Sequence, residues 1–69
     1  MNDAVNHPVH YNAYPVEVIE ITEHLNFCRG NVVKYVARAG LKSKDNEIED
    51  LEKAKWYLNR EIERVKGAG

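Results

Sequence analysis

In the stretch GNVVKYVARAG, residues 30–40, Asn31, Lys34 and Arg38 recur at spacings i, i+3 and i+7, with Tyr35 beside them and Lys42 just beyond. On an α-helix those spacings set an amide, an ammonium and a guanidinium on one stripe. The combination suits a phosphate: a guanidinium grips it bidentately and an ammonium meets it as a point charge. A helix starting at Gly30-Asn31 would add backbone donors. Tyr35 offers a flat face on which a base ring can stack. The competing account is a solvated helix face. Against it, no acid lies near these bases in the sequence to pair with them.

Two further groupings could carry chemistry. HPVHY, residues 7–11, places His7 and His10 three apart across Pro8, next to Tyr11. A metal would need another ligand, such as Cys28 or a glutamate, so no metal is expected. The imidazoles suit hydrogen bonding or a phosphate contact, or else Pro8 and Tyr11 simply pin an arm to the helices. On the C-terminal side, Glu49, Asp50, Lys53 and Tyr57 form a polar line. Glu49 and Lys53 are in the favoured order for an intrahelical ion pair. Asp50 is either a general base or the group that holds a basic side chain of the preceding helix in place.

Several reaction classes are excluded by what is missing. AGLKS lacks the spacing of a Walker-type phosphate loop. No G-x-S-x-G elbow, H-E-x-x-H or C-x-x-C occurs.

The elements that must position these residues follow from patterning. At 69 residues the chain is expected to be a single domain, residues 1–69, with a thin core. The lone Cys28 allows no disulfide framework and fits a reducing compartment. No signal peptide or membrane-length apolar run is seen, so a cytoplasmic protein is expected. Net charge is −1, yet the charge is segregated: residues 1–23 carry four acids and no Lys or Arg, and residues 24–44 carry five bases and no acid. Residues 45–69 return seven acids and five bases. That arrangement disfavours duplex nucleic acid while allowing a local anion site.

Residues 1–14 show no sustained period and read as an irregular arm, with Tyr11 and Tyr14 as fixed points. A first helix is expected over about 15–25, opened by Pro15 and with Asn26 as its stop. Val16, Val18, Ile19 and Ile21 leave a short strand at 16–21 open. A second helix is expected over about 28–39, closed by Gly40 in a left-handed C-cap. The third, about 46–66, is capped by Asp45 or Asn46. It carries Ile48, Leu51, Leu58, Ile62 and Val65 on one seam, with Lys55 or Ala54 at the vacant seam position. Trp56 reads as core or interface, and residues 67–69 as a frayed tail. So long a helix overhangs its two short neighbours, and a second copy is the cheapest partner for the surplus apolar stripe, giving a homo-oligomer.

Taken together, HPVHY, GNVVKYVARAG with its trailing LK, and EDLEKAKWYL resemble the SaV-like family of small tailed-phage proteins, over roughly residues 6–60. Some members are labelled nucleotide kinases, by similarity to a larger phage enzyme that phosphorylates deoxynucleoside monophosphates without a Walker motif. Another is linked to a bacterial abortive-infection system. The resemblance implies a nucleotide site lined by His7, His10, Tyr11, Asn31, Lys34, Tyr35, Arg38, Gly40, Asp50 and Lys53.

The expectation is therefore an all-α protein that binds a nucleotide or other phosphorylated small molecule. Lys34, Arg38 and Lys42 neutralise phosphate, Tyr35 or Tyr11 stacks on the base, and His10 or Asp50 moves a proton if phosphoryl transfer occurs. No further cofactor is implied. The alternative is an interaction protein without chemistry that occupies a host protein or sequesters a nucleotide signal.

Overall fold

The computed structural model describes residues 13–68. They form three α-helices and no strand: α1 (Ile19–Thr22), α2 (Phe27–Arg38) and α3 (Glu47–Ala68). A 3-10 turn, Lys44–Asn46, precedes α3. Among the described residues no helix is long and apolar enough to cross a membrane.

α1 is much shorter than the expected 15–25. Glu17 opens the segment with a turn, its backbone N–H donating to Glu20 Oε2 at 3.1 Å. Only four residues then hold α geometry before His24 and Leu25 close i→i+3 bonds back to Ile21 and Thr22. Val18, Ile19, Ile21 and Thr22 are all β-branched, which crowds each preceding helical turn and gives short helices that finish in tight 3-10 bends. Pro15 lies in the bend before the helix, not in its first turn.

Asn26 does not stop α1; it starts α2. Its Oδ1 accepts from the Arg29 N–H at 2.9 Å, satisfying one of the orphan donors of the first turn. Gly30 and Asn31 consequently sit inside α2, so their N–H groups belong to the helix ladder and offer no N-terminal anion site. α2 ends as its pattern predicts. Ala39 caps it, and Gly40 takes φ 80°, the left-handed conformation that glycine adopts freely. Tyr14 ties the incoming chain to this end, its hydroxyl donating to the Ala37 carbonyl at 2.7 Å.

The entry to α3 differs in detail. Ser43 caps the 3-10 turn that leads into the helix, its Oγ accepting from the Asp45 N–H at 3.2 Å. Glu47, Glu49 and Asp50 then place negative charge in the first turn, where it favours the helix dipole. The helix has 22 residues, about 33 Å at the α-helical rise.

α2 and α3 pack as an antiparallel hairpin. Arg38, near the end of α2, meets Asp50 near the start of α3, and Arg29 at the other end meets Glu61. The face that α3 turns to α2 is therefore the line Asp50, Ala54, Tyr57 and Glu61. It is not the apolar seam. Ala54 is the only buried apolar residue among the described residues, and Asp50 and Glu61 are the buried charges. Ile48, Leu51, Leu58, Ile62 and Val65 remain 41–68 % exposed, and Trp56, at 59 %, is no core residue of the single chain.

Candidate functional site: a cation-rimmed aromatic cleft

The helix hairpin gathers aromatic rings on one side. Tyr57 of α3 stacks on Tyr35 of α2, with ring centroids 5.9 Å apart and planes 11° from parallel. The edges of Phe27 and Trp56 approach Tyr57 at 5.8 and 5.0 Å, near perpendicular. Such offset and edge-to-face arrangements suit the ring quadrupoles. Tyr35, Lys53, Trp56 and Tyr57 line an open cleft of about 320 Å³, at the small end of the range for ligand pockets.

Three cations surround the Tyr35 ring. Lys34 Nζ lies 4.5 Å from its centroid, the Arg38 guanidinium carbon 4.9 Å and Lys53 Nζ 5.5 Å. The ring's negative face attracts all three. Among the described residues only Arg38 of the three has a carboxylate partner: Nη2 donates to Asp50 Oδ1 at 3.3 Å. The expected Glu49–Lys53 ion pair is not formed among the described residues; the Lys53 ammonium turns to Tyr35 instead. Two positive charges at this site, those of Lys34 and Lys53, thus stay without a carboxylate among the described residues.

Asp50 is buried and held by a residue of the preceding helix, the second of its two expected roles. A guanidinium has five N–H donors, and one suffices for this contact, so the carboxylate fixes Arg38 beside Tyr35 while leaving donors to spare.

The other expected site residues divide into two sets. Asn31 and Lys42 neither lie over the Tyr35 ring nor line the cleft; Lys42 is exposed in the connection after α2. His7, His10 and Tyr11 lie outside the described residues. Among the described residues no group of three His, Cys, Asp or Glu could hold a metal ion.

A second polar centre was not legible as such in the sequence. Glu61 is buried, and its carboxylate accepts from Arg64 Nε and Nη2 at 2.9 Å each, Asn26 Nδ2 at 2.9 Å and Arg29 Nε at 2.6 Å. These donors, Arg64 and Asn26 foremost, hold its pKa far below the ordinary carboxylate range, outweighing the opposing push of burial. The i, i+3 spacing of Glu61 and Arg64 hints at a pair. Nothing local announces the donors more than thirty residues upstream.

Residues 5–59 match the model of DUF3310, a family described as proteins of unknown function. No curated protein and no solved structure matches the chain.

Proposed function

The chain belongs to the DUF3310 family, which brings no activity with it, and we propose from its own geometry that it binds a nucleotide-class ligand, a phosphate joined to an aromatic ring, in the cleft beside Tyr35. The observation that carries this reading is the pairing of two ammonium groups that have no carboxylate among the described residues, Lys53 lining the cleft and Lys34 over the Tyr35 ring at its side, with the aromatic wall of Tyr35, Trp56 and Tyr57. Cations without counter-charge in a cleft draw an anion. An exposed indole edge-on to Tyr57 gives a base a surface to stack on, a contact worth about 1–3 kcal/mol per base. Arg38, aimed by Asp50, supplies further phosphate donors.

Binding needs nothing more than these groups, and it is the reading the cleft supports best. Phosphoryl transfer would draw a base from His10 or from Asp50, and Asp50 already serves Arg38. The likeness to tailed-phage proteins supports a phage-encoded protein acting in the host cytoplasm. On this reading it withdraws or delivers a nucleotide rather than requiring chemistry of its own.

Trp56 is the single tryptophan, so its fluorescence reports the site directly. Titration with nucleoside mono- and triphosphates should quench it and raise the melting temperature by mass action. Lys53→Ala and Lys34→Ala should each weaken the response and reduce its salt dependence. A coupled phosphoryl-transfer assay on any ligand that binds separates carrier from enzyme. Silence of both fluorescence and melting across the panel at millimolar nucleotide overturns the nucleotide reading and favours a protein partner.

A further inference from the structure

α3 carries two distinct lines. Asp50, Ala54, Tyr57 and Glu61 face α2, through the Arg38 and Arg29 ion pairs and the Tyr35 and Phe27 ring contacts. Positions 48, 51, 55, 58, 62 and 65 form the other, spaced alternately by three and four. At about 100° per residue this second line lies roughly a quarter turn round the helix. Five of its six side chains, Ile48, Leu51, Leu58, Ile62 and Val65, are large, apolar and 41–68 % exposed. The sixth is Lys55. Such a strict heptad seam is the pattern that packs one helix against another.

We propose that this seam is the interface of a two-fold homodimer in which the α3 helices of two copies run antiparallel. The seam is symmetric about its own midpoint. Reversing a second copy therefore places Ile48 against Val65, Leu51 against Ile62 and Lys55 against Leu58, each pair occurring twice as a two-fold axis requires.

Charge and dipole favour a second copy running in the opposite direction. Of the charges that flank the seam, Glu47 and Glu52 lie toward the start of α3 and Lys66 at its end, while Asp50 and Glu61 are already paired with arginines on the α2 side. Antiparallel packing sets the acidic start of each helix beside the basic end of the other and opposes the two macrodipoles. A parallel, in-register pair would instead bury Lys55 against Lys55, whereas opposite Leu58 its stem can pack and its ammonium can reach solvent. A seam lysine that specifies orientation at some cost in stability is a known device of coiled coils. With Ala54 the only buried apolar residue among the described residues, the seam also supplies core that the hairpin lacks. Lys53 lies on the opposite side of α3 from the seam, so the dimer and the ligand cleft do not compete and their tests are independent.

Sedimentation equilibrium of the ligand-free full chain at tens-of-micromolar concentration should give twice the 8.0 kDa chain mass. A monomer mass throughout overturns the dimer. Direction is read by disulfide trapping in a Cys28→Ser background. A mixture of Ile48→Cys and Val65→Cys chains should form the mixed cross-link, because those positions meet within disulfide reach. Ile48→Cys alone should not. Cross-linking of Ile48→Cys alone, with none in the mixture, overturns the antiparallel arrangement. Leu58→Lys, which sets lysine against Lys55, should weaken association at least tenfold, and a persistent dimer in that variant overturns the seam. Should Leu58→Lys fail to fold, the trapping result decides on chains that retain the apolar core of the seam.

Discussion

Glu61 shows how one carboxylate can join three parts of a small fold. Its oxygens are shared by Asn26 and Arg29 on the α2 side and by Arg64 one turn along α3. Folding lowers its pKa from the model-compound value of 4.5. The unfolded chain therefore takes up this proton more readily than the folded one, and the contribution to stability is complete above that value and lost progressively as pH falls below it. Denaturant unfolding followed from about pH 7 down to about pH 3 should show stability falling on the acid side. Glu61→Gln should flatten that slope and lower stability at neutral pH, since Arg29 and Arg64 lose their counter-charge. A second residue-scale test concerns Gly40. A Cβ there would face the strain of φ 80° and meet Glu47 Cδ at 2.9 Å. Gly40→Ala should cost about 1–2 kcal/mol, visible as a drop in melting temperature of roughly 4–16 °C for a domain of this size.

At the scale of elements, Asn26 matters twice. Its Oδ1 caps α2 while its Nδ2 donates to Glu61, so the start of one helix is fastened to the middle of another. Asn26→Ala should remove both contacts, with the cap alone worth about 1 kcal/mol. Asn26→Ser should restore most of the cap but leave Glu61 one donor short, so its stability should fall between the other two. Circular dichroism melts of the three proteins separate the roles; equal stability of Ser and Ala variants would show the cap to be idle. Among the described residues α1 has no comparable anchor. Its turns rest on local backbone bonds, and a Cβ added at Gly30 of α2 would come into ordinary van der Waals contact with Thr22. Amides of residues 19–22 should accordingly exchange hydrogen faster than those of α2.

For the whole molecule, the notable property is an apolar surface larger than its apolar interior. Phe27 at 75 % and Ile48 at 68 % exposure are among the extremes, while no side chain among the described residues is fully buried. If α3 finds its second copy, folding and association are linked, and the melting temperature should rise with protein concentration. A concentration-independent melt would separate stability from assembly. Nucleotide should raise the melting temperature further at any fixed protein concentration, since the cleft and the seam occupy different sides of α3.

Periodicity alone was enough for α2 and α3. Val32, Val33 and Val36 recur at the helical interval, Gly40 supplies the only positive φ among the described residues, and the seam from Ile48 to Val65 runs the length of α3. The closeness of Arg38 to both Lys34 and Tyr35 likewise follows from helical spacing, because neighbours three and four apart share a face whatever surrounds them. The extent of α1 was less legible, since β-branched residues serve a short helix and a strand almost equally well. Which side of α3 meets α2 was decided only in three dimensions. A hydrophobic pattern assigns the interior to Ile48, Leu51 and Leu58, but Asp50 and Glu61 can be buried once Arg38, Arg29 and Asn26 arrive from the other helix to satisfy them. Those partners lie between 12 and 35 residues away. Local spacing sets what a helix can present; long-range pairing of charge decides which of its faces is turned inward.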